Sequence, residues 1–241
     1  MPLMRSRLLP KLPWKALYFD GVDDRVEIPL TTELDLTLPI SAMAWFRPIE
    51  PLGQMGIVGI DAHSWLLYLR SSPGKDLAFR SNDGAGTDYF IMAGNADYGE
   101  WNFLAGVLRQ DGTGFLYHNG EIISTNVQTA SYPRPSNNIY IGYGASLASP
   151  RYFYGEIAAV YVYNRALTEE EVEWNYYHPD DPVRSGLVLW LHYDSIDETN
   201  NVWRDKTAYH NDGTIYGATP VEFTKPPIRK LSPTRILSPV R

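Results

Sequence analysis

The sequence predicts an all-β fold: a two-sheet antiparallel sandwich with one short helix and extended terminal arms. Three observations carry that prediction. About twelve short segments alternate between two side-chain faces and are rich in β-branched and aromatic residues. The stretches between them are rich in glycine, asparagine, aspartate and proline, the residues that tight reversals need. Only one segment has helical start and stop signals, which leaves two stacked antiparallel sheets as the architecture able to bury this material.

The central unit runs from Trp101 to Ile123, WNFLAGVLRQDGTGFLYHNGEII. Trp101, Phe103, Ala105 and Val107 share one face, and Asn102, Leu104, Gly106 and Leu108 the other. Phe115 and Tyr117 then alternate against Leu116 and His118. Arg109 to Gly114 and His118-Asn119-Gly120-Glu121 supply the two reversals, so the unit reads as a meander. On its N-terminal side, residues 16–29 give a strand, an acidic turn around Gly21 and a second strand ending at Pro29. Residues 39–47 alternate with Ile40, Ala42, Ala44 and Phe46 opposing Ser41, Met43 and Trp45. Further short strands are expected at 56–60, 65–70, 77–80 and 89–92.

Beyond the meander, 138–142 (NIYIG) and 153–163 (FYGEIAAVYVY) read as strands. The helix follows at 166–177, where Thr168 and Glu171 have the form of a capping box and Glu169, Glu170 and Glu171 fill the first turn. His178-Pro179-Asp180-Asp181-Pro182 stops it. The last strands are expected at 187–192, 202–205 and 214–216. The division predicted is a basic N-terminal arm over 1–15, a single sandwich domain over 16–223 whose segment 187–223 supplies completing strands, and a proline-rich basic tail over 224–241.

Composition narrows the function classes. The chain has 241 residues and no cysteine, so a disulfide framework and a thiolate metal site are excluded. The net charge of −7 is unevenly spread. Residues 1–19 hold Arg5, Arg7, Lys11 and Lys15 with no acid, and 224–241 hold Lys225, Arg229, Lys230, Arg235 and Arg241 with no acid. The acidic body argues against nucleic acid as a partner, while basic arms suit docking on an acidic protein surface. No apolar run reaches the length of a membrane span, and the apolar pair Leu8-Leu9 is interrupted by Pro10, Lys11 and Pro13. The expectation is therefore synthesis in the cytoplasm without a secretion signal and no membrane partner.

Residues 16–29, 101–123, 138–144 and 153–172 resemble four consecutive blocks of the laminin-G-like, concanavalin A-type jelly-roll domains of the lectin/glucanase superfamily. That resemblance implies a concanavalin A-like jelly roll. The segment from Gly186 to Ala218 looks like the block that such domains carry before their FDG motif, and here it comes last. It completes either its own sandwich, as after circular permutation, or a neighbour's. Self-completion is preferred, since one chain of this length holds a full set of strands.

Asp20, Asp23 and Asp24 are the candidate metal ligands, because carboxylates clustered in a glycine-containing turn are hard oxygen donors that suit calcium. Related domains add an acidic pair from a later strand, where this chain has Ala158 and Ala159; Glu156 points away from Ile157 and is a doubtful replacement. The competing account is an ordinary acidic turn, with no cofactor required. No catalytic residues are expected. The E-x-D-x-E stretch of the glucanase relatives is absent, the histidines are scattered, and no serine-hydrolase elbow, phosphate loop or dinucleotide fingerprint occurs.

The residues therefore suggest a non-enzymatic assembly protein, such as a decoration or capsid-associated subunit of a virus particle, whose terminal arms dock on neighbours or drive self-association. The internal echo LSPTRILSPVR over 231–241 supports a repeated docking contact. The alternative is a carbohydrate-binding or adhesion module. Its glycan would stack on loop aromatics Trp65, Tyr89, Tyr98 and Tyr143 with Asn82, Asp83 and Asp88 as hydrogen-bonding neighbours, although packing beneath long loops equally accounts for those aromatics.

Overall fold

A computed structural model describes residues 13–60, 65–70, 76–82, 88–127, 138–144 and 151–223. The strands are β1 (Lys15–Asp20), β2 (Arg25–Ile28), β3 (Ile40–Pro48), β4 (Met55–Ile60), β5 (Trp65–Leu69), β6 (Leu77–Asn82), β7 (Asp88–Ala93) and β8 (Asn102–Leu108). They continue as β9 (Thr113–His118), β10 (Glu121–Val127), β11 (Ile139–Ile141) and β12 (Tyr154–Tyr163). After the helix α1 (Glu169–Tyr177) come β13 (Leu187–Asp197), β14 (Val202–Asp205), β15 (Gly213–Tyr216) and β16 (Thr219–Glu222).

All pairings are antiparallel and run β10-β9-β8-β3-β12-β13-β14-β15-β2-β11-β4-β5-β6-β7, with β1 beside β12 and β16 beside β1. This path curls into two facing layers, a nearly closed sandwich. The layers meet closely: a Cβ on Gly106 of β8 would lie 2.4 Å from the Phe79 ring on β6. The main core fills the space between them with Phe19, Val26, Ile28, Phe46, Leu67, Phe79, Leu104, Ile141, Val160 and Trp203, each fully buried.

The alternation predicted for the meander is the one observed. Trp101, Phe103, Ala105 and Val107 point away from the inter-sheet core, and Leu104 and Leu108 into it. The β9–β10 reversal places Asn119 and Gly120 at φ 55° and 84°, the pair of positive angles that a two-residue hairpin turn requires.

The outward face of β3, β8, β12 and β13 is also apolar, and α1 covers it. The Tyr176 ring stacks on Trp45 at 5.4 Å with an interplanar angle of 11°. The Tyr163 hydroxyl accepts from Asn175 Nδ2 at 2.9 Å and donates to the Val183 carbonyl at 3.0 Å, while Tyr161 donates to the Pro179 carbonyl at 2.9 Å. The capping box forms as the sequence predicts. Thr168 accepts from the Glu171 N–H, and Glu171 accepts from the Thr168 N–H at 2.9 Å while also receiving Arg165 through two bonds of 2.7 Å.

The strands from 187 onward pair within this chain: β13 with β12, β15 with β2 and β16 with β1. Two features of this segment exceed the sequence prediction. β13 continues to Asp197, and β16 exists despite Pro220, which an edge strand tolerates because one of its edges donates to nothing.

Gly142 ends β11 with φ 74°, and a Cβ there would lie 2.3 Å from the Phe19 ring. Gly142→Ala therefore combines backbone strain with overpacking and is expected to cost about 3 kcal/mol. Thermal unfolding of the variant should show a midpoint roughly 10 °C lower, and an unchanged midpoint would contradict this account of the β11 turn.

Candidate functional site

The acidic turn joins β1 to β2. The Asp20 N–H donates to Asp24 Oδ2 at 2.8 Å, and the Val22 N–H donates to Asp20 Oδ1 at 2.8 Å, so the turn is organised by its own carboxylates. Asp20 and Asp23 are exposed, whereas Asp24 is only 6% exposed. Gly217 lies against Asp24 so closely that a Cβ there would come within 2.0 Å of Oδ1. Oxygens of the three carboxylates lie within 4.8 Å of one another. Burial first, and then the charges of Asp20 and Asp23, push the Asp24 carboxyl above its usual range, against the lowering effect of the Asp20 N–H.

This donor set fits a hard divalent cation such as calcium, which would offset the repulsion the turn carries and would need further oxygens from backbone or water. No help comes from β12. Glu156 is committed to Arg47 through two hydrogen bonds, and a bulge between Ile157 and Ala159 turns Ala158 and Ala159 both into the aromatic cluster under α1.

Beside the acidic turn, β15, β2 and β11 place a second set of groups on the outer face of their sheet. Val26, Ile28, Ile139, Ile141 and Ile215 face the core, so by the two-residue period Arg25, Glu27, Tyr140 and Tyr216 face outward. Arg25 pairs with Glu27 at 2.7 Å, and its guanidinium lies 4.5 Å from the centroid of the Tyr216 ring, which is 42% exposed. Tyr140 meets Tyr143 edge-on at 5.4 Å, and Tyr143 lies 5.0 Å from Tyr152 through an isolated bridge between their backbones. The result is a half-buried row of tyrosines with a paired arginine and glutamate, bordered by three carboxylates.

Among the described residues the sequence-predicted sugar aromatics do not converge. Trp65 is 3% exposed and belongs to the main core, so no face of it is free to stack. Tyr98 packs on that core and donates to Asp76 Oδ2 at 3.3 Å; burial pushes its hydroxyl up to about 12. Tyr89 pairs with Ser81, itself opposite Trp65, which puts Tyr89 on the inward side at the end of β7. Asn82 and Asp88 are register partners on β6 and β7 with side chains outside the described residues, and Asp83 lies outside them altogether. Of the four predicted aromatics, Tyr143 alone joins the row. Tyr140, Tyr152, Tyr216, Arg25 and Glu27 were missed, although the alternation in RVEI, NIYIG, RYFY and GTIY carried the signal that these side chains face away from the core.

The family model described as the concanavalin A-like lectin/glucanases superfamily matches residues 20–173. The chain belongs to this superfamily. No curated protein matches it. Among solved structures, one from Bacteroides ovatus ATCC 8483, described as carbohydrate-binding, superposes with a TM-score of 0.73 at 21% identity, covering 89% of this chain. The present chain spans 61% of that protein. The heptameric SAP-like pentraxin of Limulus polyphemus gives a TM-score of 0.62 at 13% identity over 92% of this chain and 100% of its own. The CBM40 of a Ruminococcus gnavus sialidase, solved with α2,3-sialyllactose, gives 0.51 at 17% identity over 65% of this chain and 95% of its own. At these identities the likeness shows the superfamily fold.

The acidic turn yields a direct prediction. Calcium at a hundredfold excess over its Kd should stabilise the protein by about 2.7 kcal/mol, read as a rise in the thermal midpoint. Asp24→Asn should abolish that rise and, without calcium, leave the protein slightly more stable at neutral pH, because a carboxyl held above its usual range penalises the fold once ionised. A wild-type midpoint insensitive to calcium would remove the turn as a metal site.

Proposed function

We propose that the protein is a non-catalytic carbohydrate-binding module whose glycan lies on the outer face of β15, β2 and β11. The observation that carries this is the convergence of Tyr140, Tyr143, Tyr152 and Tyr216 with the Arg25–Glu27 pair on one face. Stacking on a tyrosine ring and hydrogen bonds from a fixed donor and acceptor are the two contributions a pyranose needs, and this face carries residues of both kinds. The Bacteroides and Ruminococcus structures, described as binding carbohydrate, support the same reading.

Screening the purified protein on a glycan array, followed by calorimetry with the best ligand, tests it. Tyr143→Ala and Tyr152→Ala should each weaken binding at least tenfold while the total tryptophan fluorescence and the unfolding midpoint stay close to wild type. Binding that survives both substitutions would place the glycan elsewhere.

A second reading, assembly through the arms, has one specific observation in its favour. The Phe223 N–H donates to the Trp14 carbonyl at 2.8 Å, so the described residues next to the basic segments 1–12 and 224–241 lie side by side. None of the solved relatives named above is described as a virus-particle subunit, which leaves the decoration role without support from them. Light scattering of the full chain beside one lacking residues 224–241 distinguishes the cases: an oligomer reduced to a folded monomer favours assembly, and two equal monomers oppose it.

A further inference from the structure

The solvent face of α1 is the part of the surface that neither the glycan row nor the fold accounts for. Val172, Asn175 and Tyr176 face the sheet, which leaves Glu169, Glu170, Glu173 and Trp174 outward. The last turn holds no basic residue, and among the described residues none of those three glutamates takes part in an ion pair. Trp174 is 45% exposed yet held in place: its Nε1–H donates to the Asp181 carbonyl at 2.8 Å, and its ring stacks on His178 at 3.8 Å. A fixed indole with open surface beside uncompensated carboxylates is a platform for a basic, proline-containing segment, since proline rings and arginine guanidinium groups both pack on indole.

The chain carries such a segment. Residues 224–241 contain five basic residues and no acid, with Pro226, Pro227, Pro233 and Pro239 between them. Phe223, the last described residue before it, lies on the α1 side of the sandwich. Phe223 lies edge-on to Trp101 at 5.7 Å with the Arg47 guanidinium 4.9 Å from its ring, and Trp101 belongs to the same outward cluster as Phe103, which contacts Tyr176 of α1 at 5.7 Å. A tail of this length reaches about 60 Å when extended, far more than the path from Phe223 to the helix.

We propose that residues 224–241 dock on the outward face of the same chain's α1, with lysine and arginine against Glu169, Glu170 and Glu173 and the proline-containing repeats against Trp174. Attachment at Phe223 keeps the tail at a high effective concentration over this face, so weak individual contacts suffice. The proposal is independent of the glycan reading, because the tyrosine row lies on the opposite side of the sandwich.

Carbodiimide coupling of the full-length protein, which joins lysine to carboxylate only in contact, followed by peptide mass spectrometry tests it. The expected product links Lys225 or Lys230 to Glu169, Glu170 or Glu173. In an equal mixture of 15N-labelled and unlabelled chains, those links should join peptides of one isotope only. Their yield should fall at least tenfold in 1 M salt, where the screening length is about 3 Å, and severalfold in Trp174→Ala, which leaves every coupling group in place. Absence of the link, coupling chiefly to other carboxylates, mixed-isotope products or a yield indifferent to salt would each overturn docking on the chain's own helix.

Discussion

The organisation of this protein depends on burying both faces of one sheet. β12 is paired along both edges and covered above and below: Ile157, Val160 and Val162 enter the inter-sheet core, while Tyr161 and Tyr163 enter the aromatic cluster under α1. A strand in that position cannot slip by one residue without moving each apolar group into the wrong layer. The bulge between Ile157 and Ala159 is the point where its partner on one edge changes, from β1 beside residues 154–157 to β13 beside residues 159–163. Because the bulge also reverses the alternation, two successive alanines point to the same side. A carboxylate pair at those positions would be buried among tyrosines and tryptophans.

Closing that face decides which aromatic surface stays open. α1, the loop after it and Phe223 cover the outward side of β3, β8, β12 and β13, so the most aromatic surface of the molecule is spent on packing. Among the described residues no helix lies over β2, β11 and β15 in the opposite layer. Its outward residues stay half-buried to exposed, and there the tyrosine row and the acidic turn come together. The covering layer is itself tied down by polar contacts. His192, 1% exposed, has Nδ1 2.5 Å from Asp194 and Nε2 3.1 Å from Asp180; Tyr193 also donates to Asp180, and Lys206 holds Asp194. Burial lowers the basicity of this imidazole against the opposing pull of its carboxylates. The cluster joins β13 to the loop that follows α1, which keeps the helix seated.

Among the described residues no helix is long and apolar enough to cross a membrane. The acidic turn is a compact donor set beside the tyrosine row, and its contact with Gly217 shows that the last strands of the chain take part in shaping it.

The sequence by itself determined the all-β architecture, the inward and outward residues of β3, β8 and β9, the capped helix and the clustering of Asp20, Asp23 and Asp24. Each of these is local: a two-residue period, a turn chemistry or a capping pair is set within a few residues of chain, and the structure only collects them. Tertiary structure decided which aromatics are free. Trp65 and Tyr143 look alike in sequence, each an aromatic beside a turn, yet one points into the core and the other joins Tyr140 and Tyr152 on the surface. The difference arises from long-range pairing: β5 is fixed between β4 and β6, whereas Tyr143 lies beyond β11, after the turn at Gly142 with φ 74°, and is held by its bridge to Tyr152. Pairings between residues far apart in the chain assign each side chain to a face, and no local pattern contains them.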